Sequence, residues 1–222
     1  MTQRRKITTV LFDLDGTIID TNELIIQSFF HALRGVSPEG LTREHIIPYM
    51  GQTLKSQLQH FSGLENVDQL TEAYREYNHL RHDEMVSLFP GVAEVVPKLR
   101  NAGIKLGIVT TKMRATTLRA LELLGLQESM GTIVTLDDVE HAKPHPEPVT
   151  KAIQALGSDP EETLMVGDSS VDMESAIAAG AVPIGVAWSL KGEEYLFKSG
   201  AKHVLREMNE LLALCGIEGV DA

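Results

Sequence analysis

The sequence predicts an α/β protein, a parallel sheet with helices on both faces, into which an all-helical unit is inserted. Two observations carry this. From residue 89 onward, short apolar stretches of strand length alternate with helical stretches, the pattern of a parallel sheet wrapped by its own crossovers. Between residues 20 and 87 the apolar spacing is helical and no strand signal interrupts it. The expected boundaries are 1–17 and 88–222 for the sheet-bearing core, and 18–87 for the helical unit.

The elements follow in order. TTVLFDLDGT, at 8–17, is a short apolar strand that runs into Asp13 and Asp15 and then Gly16. NELIIQSFFHAL (22–33) is helical, with Ile25, Phe29, Ala32 and Leu33 on one face and Thr21 or Asp20 as candidate caps. MGQTLKSQLQHF (50–61) and NVDQLTEAYREYNHLRHDEMV (66–86) are further helical stretches. In the second of these, Leu70, Ala73, Tyr74 and Tyr77 fall on one face, while His79 and His82 share a face that reads as solvated. The core then alternates. KLGIVTT (105–111), TIVT (132–135), TLMVGD (163–168), VPIGVAW (182–188) and HVL (203–205) are strands, and helical segments separate them.

Composition limits the function. The chain has 222 residues and a formal net charge of −11, which argues against a general nucleic-acid binder. No apolar run approaches the roughly 20 residues needed to span a bilayer, so no membrane role is expected. The start, MTQRRKITTV, shows no apolar signal-peptide region. The single cysteine, Cys215, excludes an internal disulfide and reads as a packing residue of the last helix. A cytoplasmic protein is expected, and the sequence gives no oligomeric state.

Ligands of open parallel sheets bind at the carboxyl ends of the strands. Polar residues gather there. Asp13 and Asp15 end the first strand, Thr110 and Thr111 the GIVTT strand, and Asp168 the LMVGD strand, with Asp172 in the helix that follows. Lys143 lies in HAKPHPEP, before another helix. Asp13 and Asp15, about 7 Å apart along a strand, need a cation between them unless one of them holds a proton. A set of hard oxygen ligands selects Mg²⁺, and Mg²⁺ with the help of Lys143 would make the two carboxylates tolerable as neighbours.

FDLDGT, a strand-end Thr110, Lys143 in AKPHP and GDSSVD, in that order, resemble the haloacid dehalogenase superfamily of phosphatases. The likeness implies a Rossmann-like core with a helical cap inserted after the first motif. It also implies roles. Asp13 is the nucleophile that takes the phosphoryl group, and Asp15 the general acid and then base. Thr110 bonds a phosphoryl oxygen, and Lys143 neutralises Asp13 and the transferring group. Asp13, Asp168 and the backbone carbonyl of Asp15 hold Mg²⁺, supported by Asp172. Gly16, Thr111 and the cap residues Gly51, Gln52, Lys55 and Arg81 are the expected substrate contacts.

TNELIIQSF, YNHLRHD, GIVTTK, VTLDDVEHAKPHPEPV and GVAWSLKG narrow the resemblance to the bacterial inorganic pyrophosphatases of that superfamily. Those enzymes are associated with pyrophosphate released when serine-phosphorylated HPr is dephosphorylated. The implied substrate is pyrophosphate, a small phosphorylated molecule. His145 departs from the acidic residue expected in KPDPEP. A phosphoglycolate or sugar-phosphate phosphatase, or a related mutase, shares the same core motifs. A phospho-aspartate receiver module gathers similar residues, but the Asp-x-Asp spacing and a helical insertion oppose that reading.

Overall fold

The computed structural model describes residues 6–37 and 40–217. Strand β1 (Thr9–Phe12) alternates its side chains across the sheet, as a period of two requires. Val10 and Phe12 enter the larger apolar core on one face, and Leu11 joins Val109, Val134 and Met165 on the other. After it come β2 (Ile19–Asp20), α1 (Asn22–Ala32), a short α2 (Arg43–Ile46), α3 (Leu54–Ser62), α4 (Asp68–Met85) and β3 (Ser87–Leu88). The core continues with α5 (Val92–Asn101), β4 (Lys105–Val109), α6 (Arg114–Leu123), β5 (Thr132–Val134) and α7 (Glu147–Ala155). It ends with β6 (Thr163–Gly167), α8 (Ser170–Ala178), β7 (Val182–Val186), α9 (Glu193–Lys198), β8 (His203–Leu205) and α10 (Glu210–Leu214).

Among the described residues the main sheet has six strands in the order β5-β4-β1-β6-β7-β8, and every pairing is parallel. The chain winds out to β5 on one side of β1 and returns to build β6, β7 and β8 on the other. The winding therefore reverses across β1, where open α/β sheets place their ligands.

The helical unit has its own apolar centre. Ile26 and Phe29 of α1, Leu58 and Phe61 of α3 and Leu70 of α4 are buried together. The Phe29 ring meets Phe61 edge-on, with centroids 5.3 Å apart. A fully buried Phe of this kind is worth about 3–5 kcal/mol against Ala. The chain enters and leaves this unit through β2 and β3, which pair antiparallel with Ile19 opposite Leu88.

Several local expectations change. Thr21 sits at the N-cap of α1 but makes no side-chain cap bond. Its hydroxyl donates to Asp15 Oδ1 at 2.7 Å instead, and Asp20 accepts from the Asn22 N–H. The helix expected from residue 50 begins at Leu54, because Thr53 caps it by accepting from the Ser56 N–H. This frees Met50–Thr53 as a loop. Strands β2 and β3 and helices α2 and α9 were not foreseen, being at most six residues long. Of His79 and His82, expected on a solvated face, only His79 is exposed. The Arg119 guanidinium of α6 contacts His79 and Asp83, and His82 is buried. Cys215 is buried at the end of α10, and burial pushes its thiol up to about 12.

Candidate active site

Asp13 is the first residue after β1, and its N–H still bonds Val166 O of β6 at 2.8 Å. The ladder thus fixes where the Asp13 side chain leaves the sheet. Opposite stands Lys143, delivered by the loop before α7. Its ammonium donates to Asp13 Oδ1 at 2.7 Å, Asp172 Oδ1 at 2.6 Å and Val109 O at 2.9 Å. Burial alone would lower the Lys143 pKa, but the Asp13 and Asp172 carboxylates outweigh it and push it up. The lysine is a fixed cation.

Asp172 belongs to the first turn of α8. Its second oxygen accepts from the Ser169 N–H at 3.1 Å and the Ser169 hydroxyl at 2.6 Å, a reciprocal cap. Gly167 leaves the room for this, since a Cβ there would lie 2.4 Å from Asp172 Cβ.

Asp168 follows β6 and is buried, and its Oδ1 has no hydrogen-bond partner among the described residues. Lys191 Nζ stands 3.9 Å from the other oxygen, too far for a hydrogen bond. One carboxylate oxygen from each of Asp13, Asp168 and Asp172 lies within 4.8 Å of the others. Burial raises the Asp13 carboxyl, against the pull of Lys143, and raises that of Asp168 as well; Asp172 adds to both shifts. Three carboxylates so close, one with an unpartnered buried oxygen, fit a small hard divalent cation of the Mg²⁺ type. Of the three, Asp172 has both oxygens engaged, by Lys143 and by Ser169, whereas Asp168 Oδ1 is unpartnered among the described residues.

Asp15 has a lysine of its own. Lys112 Nζ donates to its two oxygens at 2.9 and 3.1 Å, and the Thr21 hydroxyl adds a third bond. Each of the two carboxylates at the end of β1 therefore has an ammonium partner of its own, Lys143 for Asp13 and Lys112 for Asp15, where the sequence pointed to Lys143 alone. Gly16 adopts φ +80°, and a Cβ on it would come within 2.8 Å of Asp168 Oδ2. Only glycine lets the loop after β1 pass beneath that carboxylate.

Thr110 is buried at the end of β4, and its hydroxyl accepts from the Lys112 N–H at 3.2 Å. The Thr111 hydroxyl donates to Gly51 O at 3.1 Å, while Lys191 Nζ donates to Met50 O at 2.6 Å. These two bonds bring the loop of the helical unit over the strand ends. Gly51, at φ +98°, comes so close to Ser169 that a Cβ would stand 2.7 Å from its hydroxyl. The structure thus gathers Asp13, Asp15, Gly16, Gly51, Thr110, Thr111, Lys143, Asp168 and Asp172.

The remaining expected contacts lie elsewhere. Gln52 turns its carbonyl to Gln57 and its side-chain oxygen to Ser56. Lys55 is exposed on α3, and Arg81 pairs with Glu84 on the surface of α4. Lys112 and Lys191 were not singled out from sequence, and Thr21 was expected only as a helix cap. Lys112 directly follows the strand-end threonines and Lys191 lies just past β7, so the strand-end rule applied to cations would have found both. A cleft of about 390 Å³ lined in part by Leu41, His45, Tyr49 and His60 lies on the helical unit and contains none of these residues.

Residues 10–186 match the family of haloacid dehalogenase-like hydrolases. The pyrophosphatase PpaX of Bacillus pumilus is 48% identical to this chain over 214 residues, covering 96% of this chain and 98% of that protein. The pyrophosphatase PpaX of Bacillus velezensis is 44% identical over 220 residues, 98% and 100% of the two chains. Among solved structures, a hydrolase from Pseudomonas syringae superposes with a TM-score of 0.81 at 26% identity, covering 96% of this chain and 100% of that one.

Proposed function

This chain belongs to the haloacid dehalogenase-like hydrolases, and from that premise we propose that it is a Mg²⁺-dependent inorganic pyrophosphatase acting through an aspartyl phosphate on Asp13. One observation supports the chemistry above the rest. Asp13 stands at the topological switch of the sheet with a buried lysine on one side and the unpartnered oxygen of Asp168 on the other. The substrate assignment rests on the relatives named pyrophosphatase, which match this chain over almost its whole length, the helical unit included.

Asp13 and Asp168 would hold the metal, with the carbonyl of Asp15. Once bound, Mg²⁺ supplies charge neutralisation and a template for phosphate oxygens. The protein does the rest. An Asp13 oxygen attacks phosphorus, the bond to the bridging oxygen breaks, and orthophosphate leaves. Lys143 offsets the charge of Asp13 and of the transferring group, the main source of rate in phosphoryl transfer. The Thr110 hydroxyl is positioned to orient a phosphoryl oxygen. In the second step water attacks the aspartyl phosphate and Asp15 takes the water proton, which releases the second orthophosphate and restores Asp13. Phosphate departs more readily than a sugar alkoxide, so protonation by Asp15 matters less for pyrophosphate in the first step.

The loop Met50–Thr53 is tied to the strand ends by Thr111 and Lys191, which supports a role for the helical unit in choosing the substrate. Among the described residues, no helix is long and apolar enough to cross a membrane. The proposal includes a cytoplasmic setting and, from the sequence resemblance, a source of pyrophosphate in the dephosphorylation of serine-phosphorylated HPr.

The test is phosphate release with Mg²⁺ from pyrophosphate, phosphoglycolate and several sugar phosphates, beside Asp13→Asn and a chelated sample. A kcat/KM for pyrophosphate at least tenfold above the others, about 1.4 kcal/mol of transition-state preference, upholds the reading. A higher value for a carbon phosphate leaves the chemistry and removes the substrate. Full activity of Asp13→Asn would remove the mechanism.

A further inference from the structure

We propose that His141, His145 and Glu147 form a second metal site, for a divalent transition cation such as Zn²⁺, on the outer side of the loop that carries Lys143. An imidazole nitrogen from each histidine and a carboxylate oxygen of Glu147 lie within 4.8 Å of one another. Ligand atoms around a tetrahedral Zn²⁺ stand about 3.4 Å apart. His141 Nδ1 is already 3.3 Å from Glu147 Oε2, one such edge. The His145 ring faces that of His141 with centroids 4.6 Å apart. Both rings are exposed and can turn to close the set, and water can take the fourth position.

Glu147 is prepared for this role. Its two oxygens accept from the N–H groups of Glu140 and His141 at 3.0 and 2.9 Å. Lys151 pairs with Oε1 at 2.9 Å and leaves Oε2 on the histidine side. The anion is therefore fixed before any cation arrives. His145 gives up only a 3.2 Å bond from the Glu147 N–H when its ring turns.

Ligand chemistry separates the two sites. The cluster around Asp13 offers carboxylates alone and suits Mg²⁺, whereas two imidazoles and one carboxylate favour Zn²⁺, Ni²⁺ or Cu²⁺. His145 is also the residue that departs from the acidic position expected in this motif, and the mechanism does not use it. Its carbonyl accepts from the Ser175 hydroxyl of α8 at 2.7 Å. A cation here would clip 141 to 147 on the outside while Lys143 reaches inward.

The test is calorimetric titration of the full chain with Zn²⁺ in excess Mg²⁺, for wild type, His141→Gln, His145→Gln and Asp168→Asn. One saturable site is expected in wild type, weakened at least tenfold in each histidine variant and unchanged in Asp168→Asn. Equal affinity in wild type and both histidine variants would overturn the proposal. So would loss of the site in Asp168→Asn, or no saturable site in wild type. Binding is read directly, so the answer is independent of which phosphate the enzyme hydrolyses.

Discussion

Asp172 accepts the Lys143 ammonium on one oxygen at 2.6 Å while its other oxygen takes the N–H and hydroxyl of Ser169. One carboxylate thus sets both the aim of the lysine and the start of α8. Asp172→Asn must turn its amide NH₂ toward one donor or the other. The expected result is a kcat lowered about 10- to 100-fold, the scale for supporting groups of a metal site, with KM little changed. Steady-state kinetics decide it. Unchanged kcat would reduce Asp172 to a helix cap.

Lys112 supplies two of the three hydrogen bonds on Asp15. Bonds to charged groups contribute about 1.5–3 kcal/mol. Lys112→Ala should lower kcat/KM for pyrophosphate about 10- to 100-fold, while Lys112→Arg recovers part of it. Equal kinetics for wild type and Lys112→Ala would show that Asp15 is positioned by Thr21 alone.

Asp168 has a buried oxygen that nothing among the described residues satisfies. Without metal, Asp168→Asn should melt higher than wild type, because it removes a buried anion that burial and Asp172 disfavour more than the distant Lys191 offsets. Mg²⁺ at about 100 times its dissociation constant stabilises by about 2.7 kcal/mol, or about 5–10 °C at this size. That rise belongs to wild type and should vanish in the variant. A Mg²⁺ shift of equal size in both proteins would place the ion elsewhere.

His82 is buried on α4. Burial, first, and then the Lys112 and Arg119 charges hold its imidazole below 6.5, against a hydrogen bond with Asp83. Below the unfolded value the unfolded chain binds a proton that the native state refuses. Stability from this group is therefore present above about pH 6.5 and lost as pH falls through its lower native value. His82→Leu should flatten the fall in melting temperature between about pH 7.5 and about pH 5. Parallel pH profiles for the two proteins would contradict this.

Much of the fold is legible in the sequence because its strands are buried on both faces and read as apolar runs. KLGIVTT and TLMVGD fall on β4 and β6, and HVL coincides with β8. The two-residue strands β2 and β3 have no periodicity to read. Asp13, Lys143 and Asp168 stand out because a charge directly after an apolar strand, or held in a loop beside proline, invites explanation. Lys112 and Lys191 escape notice because a lysine is ordinarily solvated, and only the folded chain shows each turned inward. Thr21 was assigned as a cap from its position before a helix, and the nearby Asp15 competes successfully for its hydroxyl.

The central place of β1 has a consequence for how the molecule is made. Its two neighbours are β4 and β6, so this strand has no partner in the sheet until residues 105–109 are synthesised, and only one until 163–167 follow. The helices between Asn22 and Met85 have an apolar centre of their own and need neither neighbour. Vectorial synthesis therefore favours a nascent chain whose inserted helices collapse first, while the strand that leads into Asp13 waits, apolar and unpaired, for the rest of its sheet.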